Sequence, residues 1–422
     1  HVAILHRHPD RGGIAVAEGL DGGQITRIGE ERLFNQDRQA DSFRNLLQLV
    51  GVAMVRAGDQ KAVQPVMRQQ RLKAVDQSGA VRGRGGGGCH LGVGVEDVGE
   101  TEAVEMLLDA LPNSPAPVIS IVPVEMQPFP HQKVQIQAIA IRGWREEECQ
   151  FVESPLELAW ANRTPTVTRV LRAGEFIATS NRTAAHFSAG FEGEMSGEDQ
   201  SHAIMTSLNS DLESVGATLQ DSIKMEGYYR GTTREQWTPL AKARASYFAE
   251  PGPPATVIPS HLGEHDQTVT RVGVLAMRER RNSYNKYIPR EDAWPERVWD
   301  WPAELPYRQA QKLRDMIWLG GQVPAQPFSN TGKRVHPGQL LPQARFTMSY
   351  ISDLLRPFGK VPADLKLLVC YYRRLPDHDE TQALVHLLAD YCGGVLPPLS
   401  LIPVDHMQDK DSTIEIWGVA QG

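Results

Sequence analysis

Apolar and polar residues alternate with period two in a stretch that recurs three times along the chain. It appears at Ser114–Ile141 (SPAPVISIVPVEMQPFPHQKVQIQAIAI), at Gly252–Met277 (GPPATVIPSHLGEHDQTVTRVGVLAM) and at Leu396–Ala420 (LPPLSLIPVDHMQDKDSTIEIWGVA). Each stretch has a Pro-led β-rich run with a second proline (Pro123, Pro259, Pro403), then a turn, then an alternating strand. That grammar predicts two strands closing a domain as a hairpin-like end. The stretches lie roughly 140 residues apart, too far for a solenoid repeat and about one domain length. The pattern therefore predicts three tandem copies of one small domain.

The second copy, residues 150–280, shows the plan most clearly. Arg169–Ser180 reads as strand, Ala-Gly turn and strand. Glu198–Val215 places apolar residues at helical spacing before Gly216, and Asp221–Tyr229 reads as a strand. Glu235–Phe248 reads as a second helix before the closing pair. Residues 303–422 repeat the order: Met316–Val323 strand, Leu341–Phe358 helix, Leu365–Tyr372 strand, Thr381–Tyr391 helix. Residues 281–302 form a linker rich in charge and tryptophan. There Trp294, Trp299 and Trp301 could stack on a ligand, although sealing one copy against the next is the simpler reading.

The first copy, residues 1–145, is degenerate. Short Gly-broken pieces over His1–Leu33 suit hairpins, Asp41–Arg56 has helical spacing, and Glu102–Leu111 is helix-like. Residues 61–100, with the run RGRGGGG, read as a mobile insertion. One RGRGG is not an array for RNA, and no G-K-[ST] follows to cradle a phosphate. The repeated order of strands and helices makes the fold class α+β.

Composition narrows the classes. The chain has 422 residues, 41% of them hydrophobic and 23% charged, with a formal net charge of -7. An acidic balance argues against a general nucleic-acid or membrane surface. No apolar run approaches the ~18–20 residues that span a bilayer, and no cationic segment followed by an apolar run marks export. A cytoplasmic location is expected. Cys89, Cys149, Cys370 and Cys392 include no C-x-x-C pair, so free thiols are expected.

Taken together, these stretches resemble the Rid superfamily, the RidA/YjgF-type enamine/imine deaminases. The family's opening G-P-Y-S-Q-A is matched by Leu305–Ala310, and its V-S-G-Q-I-P strand end by Leu319–Pro324. Its motif from N-L to D-V-V-K is similar to Asn209–Lys224, its P-P-A-R-S to Pro253–Val257, and its final V-E-I-E-A-I-A to Ile414–Ala420. The resemblance implies chorismate-mutase-like domains that assemble as trimers with clefts between neighbours. Three copies in one chain would then close an intramolecular pseudo-trimeric barrel, and further self-association of such barrels is open.

The resemblance also implies site residues. The family's carboxylate-clamping Arg falls on Pro117, Thr256 and Ser400, so that clamp is expected to be absent from all three copies. The first Glu of the closing motif, placed to activate a water, falls on Gln135, Arg271 and Glu415. Glu415 as general base with Tyr307 as orienting hydroxyl is the expected catalytic pair, though a Glu on an edge strand could equally be solvated. Ser180, Arg271, Gly320, Gly321 and Ser400 are the expected substrate-binding positions. Ser180 could also be a turn serine or a nucleophile, and Cys370 reads as a buried small hydrophobe.

Other constellations do not hold. His261-Leu-Gly-Glu264-His265 spells H-x-x-E-H in a turn containing Gly263, where helical ligation fails, so no metal is expected. His6-Arg-His8 lacks the downstream ligands of an amidohydrolase. The expected function is a cofactor-independent hydrolase or deaminase that cleaves a C–N bond of a small polar substrate at an inter-domain cleft. Chorismate-cleaving and cyclic-amide ring-opening hydrolases, or a non-catalytic ligand-binding protein, are the alternatives.

Overall fold

The computed structural model describes residues 4–7, 14–17, 49–56, 87–91, 117–124, 127–129, 134–140, 149–155, 166–184, 195–260, 267–278, 286–287, 299, 301, 303–374 and 379–421. The helix expected at Glu102–Leu111, His261–His265 and Trp294 lie outside these residues. Strands β1 (Ile4–Arg7) and β2 (Ile14–Ala17) pair antiparallel, as the Gly-broken opening suggested.

Ten strands form the larger sheet: β3 (Leu49–Arg56), β4 (Gly87–Leu91), β5 (Val118–Val124), β6 (Val134–Ala140), β7 (Cys149–Pro155), β8 (Thr166–Ala173), β9 (Phe176–Thr179), β10 (Ser222–Tyr229), β11 (Ala255–Pro259) and β12 (Thr270–Met277). Their order is β11-β10-β12-β9-β8-β5-β3-β6-β4, with β7 on β8. Six strands form the second: β13 (Lys286–Tyr287), β14 (Ala310–Leu313), β15 (Met316–Leu319), β16 (Leu365–Arg373), β17 (Leu399–Val404) and β18 (Ile414–Gln421), ordered β13-β14-β15-β18-β16-β17. The fold is thus mixed α+β with separate sheets. It is not the closed barrel expected from the sequence, because the described strands do not join into one continuous ring.

The recurring stretches behave alike, and not as hairpins. β11 runs parallel to β10 while β12 runs antiparallel to its other side. β17 and β18 flank β16 in the same way, and β5 and β6 flank β3. A central strand slots between the two halves of each stretch, a long-range pairing that local alternation cannot reveal. Over Leu49–Arg56, β3 also overturns the helix expected at Asp41–Arg56, whose first eight residues lie outside those described. LVGVAMVR is flanked by two β-rich partners, and sheet pairing overrides its helical spacing. Gly87–Leu91, inside the stretch expected to be a mobile insertion, pairs with β6.

Four helices are described: α1 (Gly197–Ser214), α2 (Arg234–Ala245), α3 (Leu340–Leu355) and α4 (Thr381–Tyr391). Ser196 caps α1 by accepting from the Asp199 amide at 3.1 Å, and Glu198 and Asp199 complement its N-terminal dipole. Thr233 and Gln236 form a capping box that starts α2. Ile204, Leu208 and Leu212 of α1 pack on Met225, Val272 and Val274; burying each such side chain is worth about 1.5–3 kcal/mol. Ala344, Met348 and Ile351 of α3 cover the second sheet at Ile414 and Ile416. The faces turned from the helices meet each other: Tyr228 and Leu275 from the first sheet share a core with Val369, Tyr371 and Trp417 from the second. Helices lie outside and the sheets face inward. Among the described residues, no helix is long and apolar enough to cross a membrane.

Candidate active site

The inward faces carry charge as well as apolar bulk. On β10, Met225 and Tyr229 turn to the helices, which puts Lys224 and Tyr228 between the sheets. On β18 the same alternation sends Ile414 and Ile416 to the helices and Glu415 and Trp417 inward. β18 lies between β15 and β16, so Glu415 is not on an edge; it is 4% exposed.

Glu415 faces a cavity of about 80 Å³, several times the space one water needs. The first sheet and α2 contribute Arg234, Trp237, Ala255 and Val257. The second half of the chain adds Trp299, Trp301, Tyr307, Gly321, Arg334 and Glu415, among others. Burial pushes the Glu415 carboxyl up to about 7, against the opposing pull of the Gln408 amide, Lys224, Arg334 and the Val257 backbone. Gln408 donates to Glu415 Oε2, and also to the Val257 carbonyl at 3.2 Å, which fixes the carboxyl plane across the two sheets.

Gly321 makes room for that carboxyl. A Cβ there would overlap Glu415 Oε1 and sit 3.0 Å from Thr256 Oγ1. Its backbone N–H donates to the Ala255 carbonyl at 2.8 Å, locking the end of β15 against β11. Gly320 is equally confined, with the Arg308, Ala255 and Gln309 carbonyls within 3.4 Å of its Cβ position. Gly320 therefore supports the cavity rather than lining it.

Two guanidinium groups reach the cavity, one from the start of a helix and one from a loop. Arg334 donates to Ser412 Oγ at 3.1 Å and pairs with Asp409 at 2.9 Å. Arg234, at the first turn of α2, donates to the Thr331 carbonyl at 3.1 Å, and a Cβ on Gly332 (φ +70°) would collide with it. The clamp position read from the sequence, Thr256, instead accepts from Lys224 Nζ at 2.6 Å. Positive charge is present in the cavity; it comes from elsewhere in the chain.

Tyr307 lies in the cavity wall, but its hydroxyl is engaged with Arg244 and with Met225 Sδ at 3.7 Å. Its ring stacks edge-on with Trp301, and Trp301 packs at 5.3 Å from Trp299. The tryptophans at once seal the two halves and line the cavity.

Ser180, Arg271 and Ser400 do not line it. The Arg182–Val272 bridge matches the Gln322–Ile416 bridge, which places Ser180 and Asn181 where Gly320 and Gly321 stand, and Arg271 where Glu415 stands. There a Cβ on Gly273 would overlap Asn181 Oδ1, and the Asn181 amide donates to Ser120 Oγ at 2.7 Å. Asn181 thus carries a side chain where Gly321 carries none and leaves room for the Glu415 carboxyl. Ser400 Oγ meets Gln137 Oε1 at 3.2 Å, between β17 and β6. Cys370 is fully buried, and burial raises its thiol well above the ordinary range, which leaves it inert. Among the described residues no cluster of His, Cys, Asp and Glu could hold a metal ion.

No protein-family model matches the sequence. No curated protein matches it either. Solved structures do. A chorismatase crystal structure superposes with a TM-score of 0.50 at 15% identity, covering 92% of this chain and 96% of the other. The chain thus shares its fold. Smaller proteins match over about a third of the chain: the YjgF gene product from E. coli (24% identity, TM-score 0.26, 32% of this chain and 98% of that one) and a putative endoribonuclease from Thermotoga maritima (22%, 0.27, 32% and 97%).

Proposed function

We propose that this protein is a hydrolase acting on a small anionic, ring-bearing substrate in the cavity between its two sheets, with Glu415 moving the proton. One observation carries this reading: a carboxyl held near neutrality by burial faces the same cavity as Arg334 and Arg234. A carboxyl at about 7 is present in both protonation states at physiological pH, which suits it to give a proton and take one back.

Enol ethers and enamines hydrolyse through a common first step. The acid delivers its proton to the alkene carbon, leaving an oxocarbenium or iminium ion. Water adds to that ion and returns a proton to the carboxylate, and the adduct collapses to a carbonyl with loss of an alcohol or an amine. Glu415 can serve both halves of the sequence. The guanidinium groups match carboxylates, and Trp237, Trp299, Trp301 and Tyr307 offer faces for a ring. The fold shared with a chorismatase favours the enol ether, and chorismate, a ring carboxylate with an enolpyruvyl ether, is the first substrate to try.

In this reading the chain is three diverged Rid-like copies, 1–145, 150–280 and 303–422, arranged as a pseudo-trimer. Of the three closing-motif positions, Gln135, Arg271 and Glu415, the acid stands at Glu415, in the cleft between the second and third copies. The test is to supply chorismate beside a panel of imines and enamines, with wild type and Glu415→Gln in parallel. Pyruvate release lost in the variant supports the enol-ether reading. Ammonia release lost in the variant places the protein with C–N-cleaving deaminases instead. Turnover of either kind that survives in Glu415→Gln overturns the assignment of Glu415.

A further inference from the structure

Lys224 is fully buried on the inward face of β10 and has no place in the reaction as described above. Its Nζ donates to Thr256 Oγ1 at 2.6 Å and to the Leu319 carbonyl at 3.0 Å, and lies 4.1 Å from the centroid of the Trp417 ring. Those partners are neutral and cancel none of its charge, so the protonated amine acts on the cavity with little solvent to screen it.

We propose that Lys224 is the positioning residue that sets how readily Glu415 holds its proton, acting through space and through the Thr256 hydroxyl. The inference rests on the reading of Glu415 as the acid. Having accepted from Lys224, Thr256 Oγ1 keeps its own hydrogen to donate. That oxygen and Glu415 Oε1 crowd the same point, the open face of Gly321. The lysine therefore orders a neutral donor on the cavity's first-sheet side and places a charge behind it.

The other groups around the pair are few. Arg334 and the Gln408 amide face Glu415 from the second sheet's loops, Asp409 pairs with Arg334, and Tyr371 lies opposite Glu415 in register. On β10, Glu226 acts on Lys224 from the same strand. Burial drives the lysine down to about 7, while Glu226 and Glu415 pull it up. The two groups thus meet near neutrality from opposite sides and titrate as a pair.

The experiment is a carbon-13 NMR titration of the glutamate carboxyls without substrate, with the Glu415 signal identified by its loss in Glu415→Gln. Wild type is expected to show a midpoint near 7. In Lys224→Met that midpoint should rise by about one pH unit or more, and in Lys224→Arg it should stay near the wild-type value. If Lys224→Met does not fold, Lys224→Gln keeps a donor to Thr256 without the charge and should show the same rise. An unmoved midpoint in a folded, charge-free variant overturns the proposal. Because the readout needs no turnover, failure of the hydrolase reading shows separately, as activity retained by Glu415→Gln.

Discussion

The hydroxyls of Tyr228 and Tyr371 meet at 2.8 Å, one from each sheet, inside the core that joins them. Tyr371 lies opposite Glu415 in the pairing of β16 with β18, and Tyr228 lies opposite Arg271 in the pairing of β10 with β12. Tyr371→Phe leaves a buried hydroxyl without this partner and should cost about 1–3 kcal/mol in denaturant unfolding. The double change Tyr228→Phe with Tyr371→Phe removes both polar groups and should cost less than the two single changes added together.

Gly321→Ala puts a methyl group where the Glu415 carboxyl now sits. The carboxyl must swing away, breaking its bond from Gln408. Turnover should fall at least as far as in Glu415→Gln, and stability should drop by about 1–3 kcal/mol. Assays beside thermal melts check both. A fully active Gly321→Ala enzyme would remove Glu415 from the chemistry.

Stability should depend on pH in a way that betrays the buried pair. Glu415 titrates above its ordinary 4.5, so between about 4.5 and 7 the unfolded chain has lost a proton that the folded chain keeps, and stability falls as pH rises. Lys224 titrates below its ordinary 10.5, so between about 7 and 10.5 the folded chain has lost a proton that the unfolded chain keeps, and stability rises with pH. Their joint contribution has its minimum near 7. Urea midpoints measured from pH 5 to 10 should show the dip, and it should flatten when Glu415→Gln is combined with Lys224→Met.

Arg334→Ala should weaken binding of an anionic substrate far more than it slows the bound complex. A hydrogen bond to a charged group is worth about 1.5–3 kcal/mol, roughly a tenfold to 150-fold rise in KM. Asp409 would lose its partner as well. Arg334→Lys restores the charge without the fork and should recover only part of the loss.

Much of residues 150–422 is legible in the sequence. The helix read at Thr381–Tyr391 has the observed bounds, and Glu198–Val215 and Leu365–Tyr372 differ from α1 and β16 by a residue at one or both ends. Those segments carry clean periodicity, and Ser196 and Gly216 bracket the first of them. The segment at 49–56 misled because LVGVAMVR satisfies helical spacing as readily as a buried strand does, and only its partners β5 and β6 decide. Glu415 could be picked out because the closing motif of the family that the chain resembles falls on it and keeps its acid there. Arg334 could not, since it sits in a loop with no pattern and becomes meaningful only when the chain folds it beside Asp409. Lys224 closed the motif matched at Asn209–Lys224, but its burial was not visible there.

The cavity draws Arg234 and Val257 from one side of the 281–302 segment and Gly321, Arg334 and Glu415 from the other. A chain cut within that segment therefore yields two pieces, each holding part of the cavity wall. On the proposed function neither piece should act alone, and mixing them should restore turnover only as far as they find each other again. The protein thus carries the makings of a split reporter, in which recovered activity counts reassociation events directly.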